Sequence, residues 1–170
     1  MKSIARLLLA PLAVAATAYA EVPIYRGQHL DVPSAVVVTD TGGVYYGDVR
    51  FSANQDGSFS LVQAQRRNLA QVDNVSVSVD AASAQALVAA GGILSIACEA
   101  LEEPAVLRDG NTFHVVLAET AQEPGEVCMS LLAVTEFEVD VPLDLTGLEA
   151  GSYDVVVNNL LRTSFTLDAD

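Results

Sequence analysis

The sequence predicts an all-β fold, a sandwich or barrel of about eight or nine short strands. Two observations carry that expectation. Apolar and polar residues alternate with a period of two through much of the chain, the spacing that puts one kind of residue on each face of a strand. Clusters of Gly, Asn and Asp separate these stretches and read as turns.

Taken in order, Val36-Val37-Val38 is a continuous apolar run, fit for a strand buried on both faces. Gly42-Gly43 reads as a loop. Val49 with Phe51, and Phe59 with Leu61, suit two strands joined by a hairpin at Asp56-Gly57. Val75, Val77 and Val79 alternate with Ser76, Ser78 and Asp80. Ala81 to Ala90 is alanine-rich and runs into Gly91-Gly92, a pair suited to a helix C-cap. A short helix or irregular crossover is expected there, a continued strand being the alternative. Asp109-Gly110-Asn111 marks a second hairpin before Phe113, Val115 and Leu117, which share one face.

The clearest strand runs from Glu136 to Leu145. Phe137, Val139, Val141, Leu143 and Leu145 alternate with Glu138, Asp140, Pro142 and Asp144, so one face is apolar and the other acidic. Pro142 has no N–H to give a sheet, which argues for an edge strand or a bulge. Gly147 to Gly151 forms a loop, Tyr153, Val155 and Val157 a strand, and Asn158-Asn159 a tight turn with positive φ. Phe165 and Leu167 lie on the last strand.

The N-terminus reads as a secretory signal peptide. Lys2 and Arg6 precede an apolar stretch from Ile4 to Ala16, and Ala18-Tyr19-Ala20 places small residues where a signal peptidase reads. Removing residues 1–20 from 170 leaves 150, enough for a real core. A soft boundary near Asn68–Asn74 divides an N-terminal β-hairpin module, 21–70, from a sandwich, 71–170, unless the two form one domain. The expected location is the periplasm or outside the cell.

The expected mature chain has six basic residues, all Arg, against 22 Asp and Glu, a net charge of −16. Such a surface repels nucleic acid and anionic lipid, so binding of either is not expected. No other run of about 18 apolar residues follows the leader, so insertion into a membrane is not expected after its removal. It suits a basic partner, Ca²⁺, or simply solubility. Cys98 and Cys128 are the only cysteines, and an isolated pair in an exported chain predicts one disulfide. The loop of roughly 30 residues that it closes would stabilise the fold by about 3–4 kcal/mol. A redox or soft-metal role fits less well, because the pair lies in no C-x-x-C motif.

No catalytic constellation stands out, and no cofactor is expected. His114, Asp109 and Ser130 could be drawn as a triad, but no G-x-S-x-G elbow is present. His29 has only Asp31 as a neighbouring ligand type. Glu99, Glu102 and Glu103 are weak Ca²⁺ candidates, with no D-x-D-x-D-G loop to support them. The chain has no Trp to stack a sugar.

The C-terminal half resembles a family of exported bacterial immunoglobulin-like β-sandwich domains, many of them small lipoproteins. The residues that carry the likeness are Cys98, Gly110 to Leu117, Cys128, Val141 to Leu145, Gly147 to Asn158, and Ser164-Phe165-Thr166-Leu167. Glu149 stands where the family commonly has Pro, and Asn159 where it has Gly. The resemblance implies an immunoglobulin-like sandwich with one disulfide and supplies no activity. A second likeness, from Leu30 to Phe59, is to a hairpin unit of exported bacterial proteins, also without assigned chemistry.

The expected function is therefore non-enzymatic binding of another protein in the envelope or outside the cell. The expected surface is the acidic face of Glu136, Glu138, Asp140 and Asp144. A small-ligand or Ca²⁺ carrier is the first alternative, and a secreted hydrolase inhibitor the second.

Overall fold

A computed structural model describes residues 22–39, 42–80, 84–95, 99–121 and 134–168. The expected leader, Cys98, Cys128 and Ser130 lie outside the described residues. Eleven strands are described, more than the eight or nine expected. They are β1 (Ile24–Arg26), β2 (His29–Thr39), β3 (Gly42–Ala53), β4 (Phe59–Arg66), β5 (Gln71–Asp80), β6 (Gln85–Leu94), β7 (Ala105–Asp109), β8 (Thr112–Val116), β9 (Thr135–Asp144), β10 (Gly151–Val157) and β11 (Leu161–Leu167).

The first four strands form one sheet, in the order β1-β2-β3-β4. The other seven form a β-sandwich, with β5-β6-β9 on one side and β11-β10-β8-β7 on the other. Every pairing is antiparallel except β8 with β10, which is parallel. The apolar faces read from the sequence meet inside. Val72, Ala86, Val88, Ala90, Val141 and Leu143 come from one sheet, and Phe113, Val115, Tyr153, Val155, Val157 and Phe165 from the other. Tyr153 and Phe165 stack at 5.5 Å, with Phe113 tilted 6.1 Å from Phe165. Such ring pairs contribute beyond the area they bury.

The three hairpins form where expected. Gly57 has φ 83° between β3 and β4, and Gly110 has φ 57° between β7 and β8. Asn158 and Asn159 have φ 46° and 63°, and the Leu160 N–H donates to Val157 O across them. Positive φ at both central residues defines the mirror-type turn whose twist matches its flanking strands.

Three expectations are corrected. The alanine-rich stretch Ala81 to Ala90 is no helix in its described part, because Gln85–Leu94 is the middle strand of its sheet. Glycine serves at its end because β5 crowds β6 there. A side chain at Gly92 would overlap the Gln71 carbonyl, where the β5–β6 register shifts between Val72 and Asn74. The glycine pair therefore marks a bulge rather than a helix cap. Val36-Val37-Val38 lies in a strand but is not buried on both faces, since Val37 is 49% exposed. Gly42-Gly43 begins β3 instead of forming a loop. A Cβ on Gly43 would lie 2.7 Å from Val116, so this glycine lets β3 approach β8.

That approach joins the two parts of the molecule. Phe113 and Val115 of β8 face the sandwich core, while Val116 and the following Ala118 pack with Tyr45 of β3 in a second, smaller core. β8 is thus buried on both faces. The Arg67 guanidinium reinforces the junction. Its Nε bonds Glu102 at 2.9 Å, its NH2 bonds Asp48 at 2.7 Å, and it lies across Gly47, where a Cβ would displace it.

Asn158 makes the deepest polar contact. It is buried, and its Oδ1 accepts the Leu117 N–H at 2.8 Å. Its Nδ2 donates to both Ala70 O and Leu117 O at 2.8 Å. Without the side chain, Leu117 O would keep the Ala70 N–H, but Leu117 N and Ala70 O would lose these partners. Each buried orphan costs about 1–3 kcal/mol. Asn158→Gly keeps the positive φ and removes the amide, so it should destabilise the protein by about 2–4 kcal/mol in urea unfolding. A loss below about 0.5 kcal/mol would show that the turn conformation alone matters here.

Candidate functional site

Among the described residues β9 is an edge strand, as its proline suggested. Glu136, Glu138, Asp140, Pro142 and Asp144 are all exposed on its outer face, while Val141 and Leu143 are buried and Phe137 and Val139 half-buried beneath. This is the physical consequence of period-two patterning at the border of a sandwich. The four acidic residues proposed from the sequence therefore share one row. The Thr146 hydroxyl and N–H hold the Asp144 carboxyl below its ordinary range, the N–H at 2.9 Å.

The strand beside them supplies a low floor. Gly91 lies opposite Glu138 and Ala89 opposite Asp140. On the other flank, β5 sets Ser76 opposite Ala89 and Asn74 opposite Gly91. Short side chains on β6 thus leave a shallow groove of about 390 Å³ along Asn74, Ala89, Gly91, Glu138 and Asp140. The Asn74 amide lies over Gly91, where a Cβ would come within 2.9 Å of its Nδ2. One wall of the groove offers carboxylates, the other the Asn74 amide. The arrangement can bind cationic groups, and it has no paired nucleophile and base.

Charge is distributed unevenly between the two parts. Residues 71–170 hold 17 acidic residues against Arg108 and Arg162, whereas residues 21–70 hold five against four arginines. The negative field therefore comes from the sandwich. A larger groove of about 720 Å³ lies on the N-terminal sheet among Ile24, Arg26, Asp31, Val32 and Arg50. There Arg50 is already matched to Asp31 at 2.6 Å.

The weak Ca²⁺ candidates do not converge. Glu102 is engaged by Arg67, and Glu103 is exposed, its backbone oxygen accepting the Tyr45 hydroxyl at 3.3 Å. Glu99 instead faces Glu119, a residue the sequence reading passed over. Among the described residues no group of three or more His, Cys, Asp or Glu could hold a metal ion. His114 of the imagined triad is half-buried on β8, opposite Leu107 and Val156, and His29 is exposed on β2.

Glu99 and Glu119 form a buried carboxyl pair. Glu119 is 1% exposed, and its Oε1 accepts the Ser95 N–H at 2.6 Å. The Oε2 of each residue is buried without a hydrogen-bond partner. Burial, together with the hydrogen bond and charge of Glu119, raises the Glu99 pKa above 4.5. A proton kept on Glu99 relieves the repulsion between them. A carboxylate closing the apolar run Val115–Ala118 was the signal available in the sequence.

The sign of the pH effect follows from that direction. The folded state keeps a proton that the unfolded chain releases near pH 4.5, so stability falls as pH rises from there through the raised pKa. Glu99→Gln supplies a permanent donor to Glu119. It should raise Tm at pH 8 by about 2–4 °C, the shift that about 1 kcal/mol gives a chain of this size. The gain should shrink towards pH 4.5 in thermal melts. An equal effect at both pH values would mean that Glu99 keeps no extra proton in the folded state.

Comparison with known proteins agrees with the fold. Neither the curated proteins nor the solved structures gave a match. Residues 88–167 match the model of a family described as the ORF11 beta-sandwich domain. The match runs from within β6 to the end of β11 and leaves the N-terminal sheet and β5 outside. Over that span the chain is similar to a β-sandwich family, with the acidic strand β9 inside the matched region.

Proposed function

We propose that this is an exported, non-enzymatic binding protein that holds a basic protein partner on β9. The leader-like N-terminus supports export to the periplasm or beyond, and the likeness to exported bacterial sandwich domains agrees with it. The observation that carries the reading is the row of exposed carboxylates, Glu136, Glu138, Asp140 and Asp144, along an open sheet edge beside a groove floored by Ala89 and Gly91. Complementary charge speeds encounter and selects partners, and it makes binding sensitive to salt. The same field disfavours nucleic acid and anionic membranes as partners. No cofactor enters this reading.

The test is capture from envelope and secreted extracts at low and moderate salt, by wild type and by Glu138→Gln/Asp140→Asn/Asp144→Asn. The side chains are exposed, and an amide at position 144 can still accept the Thr146 N–H, so the variant should melt within a few degrees of the wild type. A partner held by the wild type should bind the variant roughly 10- to 100-fold more weakly, at about 0.5–1 kcal/mol per exposed ion pair. Equal capture by both proteins would remove β9 as the binding surface.

A further inference from the structure

We propose that the segment β9 accepts is an extended strand with basic residues at alternate positions, added antiparallel to the edge of the three-stranded sheet. This rests on the reading of β9 as the binding edge and specifies how that edge is used. The backbone supplies the first argument. The Leu145 N–H donates to Ala84 O, so odd-numbered residues of this stretch turn their N–H and C=O towards β6. Even-numbered residues turn theirs to the open side. Glu136, Glu138 and Asp140 therefore present three free N–H and three C=O groups, with no strand beside them among the described residues. Pro142 belongs to the same set and offers only a carbonyl, so donation ends there.

Side chains supply the second argument. The residues with free backbone groups are the acidic ones, spaced about 7 Å apart along the strand. A partner residue directly opposite each one lies on the same face, so basic residues at i, i+2 and i+4 meet successive carboxylates. Intervening residues of the added strand lie on the inner side, next to the half-buried Phe137 and Val139. Apolar, β-branched residues fit there and extend the core sideways. A helix could match neither the backbone row nor the two-residue spacing. A second copy of β9 is excluded as occupant, because its carboxylates would face these across the pair. The recognised pattern is basic-apolar-basic-apolar-basic, and strand addition is an established mode of peptide capture.

Intact protein would be titrated with labelled seven-residue peptides by fluorescence anisotropy. One alternates Lys and Val, one has the same composition with the Lys residues in a block, and two carry N-methyl groups on the alternating sequence, at the Lys or at the Val amides. The alternating peptide should bind at least tenfold more tightly than the block. Methylated Lys amides should abolish that advantage, and methylated Val amides should keep it. Amide NMR should show Glu136, Glu138 and Asp140 becoming protected. Equal binding of the block and of both methylated peptides, with the usual salt dependence, would overturn strand addition while leaving β9 an acidic binding surface. Binding of every peptide no tighter than to the Glu138→Gln/Asp140→Asn/Asp144→Asn variant would overturn both.

Discussion

The structure depends on one buried amide. Asn158 sits at the tip of the β10–β11 hairpin with its side chain turned inward, and it joins three backbone groups from two distant stretches of chain. A backbone polar group buried without a partner is costly, so the places where chain segments leave a sheet need such a side chain. Here the segment entering β5 and the segment leaving β8 run side by side, and Asn158 closes the gap between them and the hairpin. Its neighbour Asn159 turns the other way and accepts the Gly43 N–H of β3 at 2.8 Å. Two adjacent residues thereby fasten the sandwich to itself and to the N-terminal sheet.

The open edge follows from that arrangement. β8 is committed on both faces, and β11 lies against β5 along one side of the sandwich. Among the described residues, the opposite side is bordered by β9, which pairs with β6. An uncovered edge is an aggregation hazard unless charge or proline guards it. β9 has both, in the alternating carboxylates and Pro142. The features that keep the edge from pairing with itself are also those that would select a basic strand.

Legibility in the sequence tracked how far each signal reached along the chain. β9 was readable because one face meets water and the other the core, which writes the strand period into the residues. The Asn-Asn turn was readable for the same local reason. Its tertiary role was not, since Ala70 and Leu117 lie 88 and 41 residues away. β6 was misread because crowding from β5 holds Gly91 and Gly92 in place, and a run of Ala and Gly erases the contrast between faces. Glu119 was overlooked because its meaning depends on Glu99 facing it, a contact no spacing rule encodes. The acidic site itself was legible as a row of residues, whereas the groove beside it needed the register of three strands.

Amide hydrogen exchange on the intact protein tests this account most directly, because it reads the anchor and the open edge together. The Leu117 N–H, held by Asn158, should exchange only on global unfolding. Along β9, the odd-numbered amides of Phe137, Val139 and Val141 should be protected and those of Glu136, Glu138 and Asp140 should exchange freely. Fast exchange at Leu117, or equal protection of odd and even residues in β9, would contradict it.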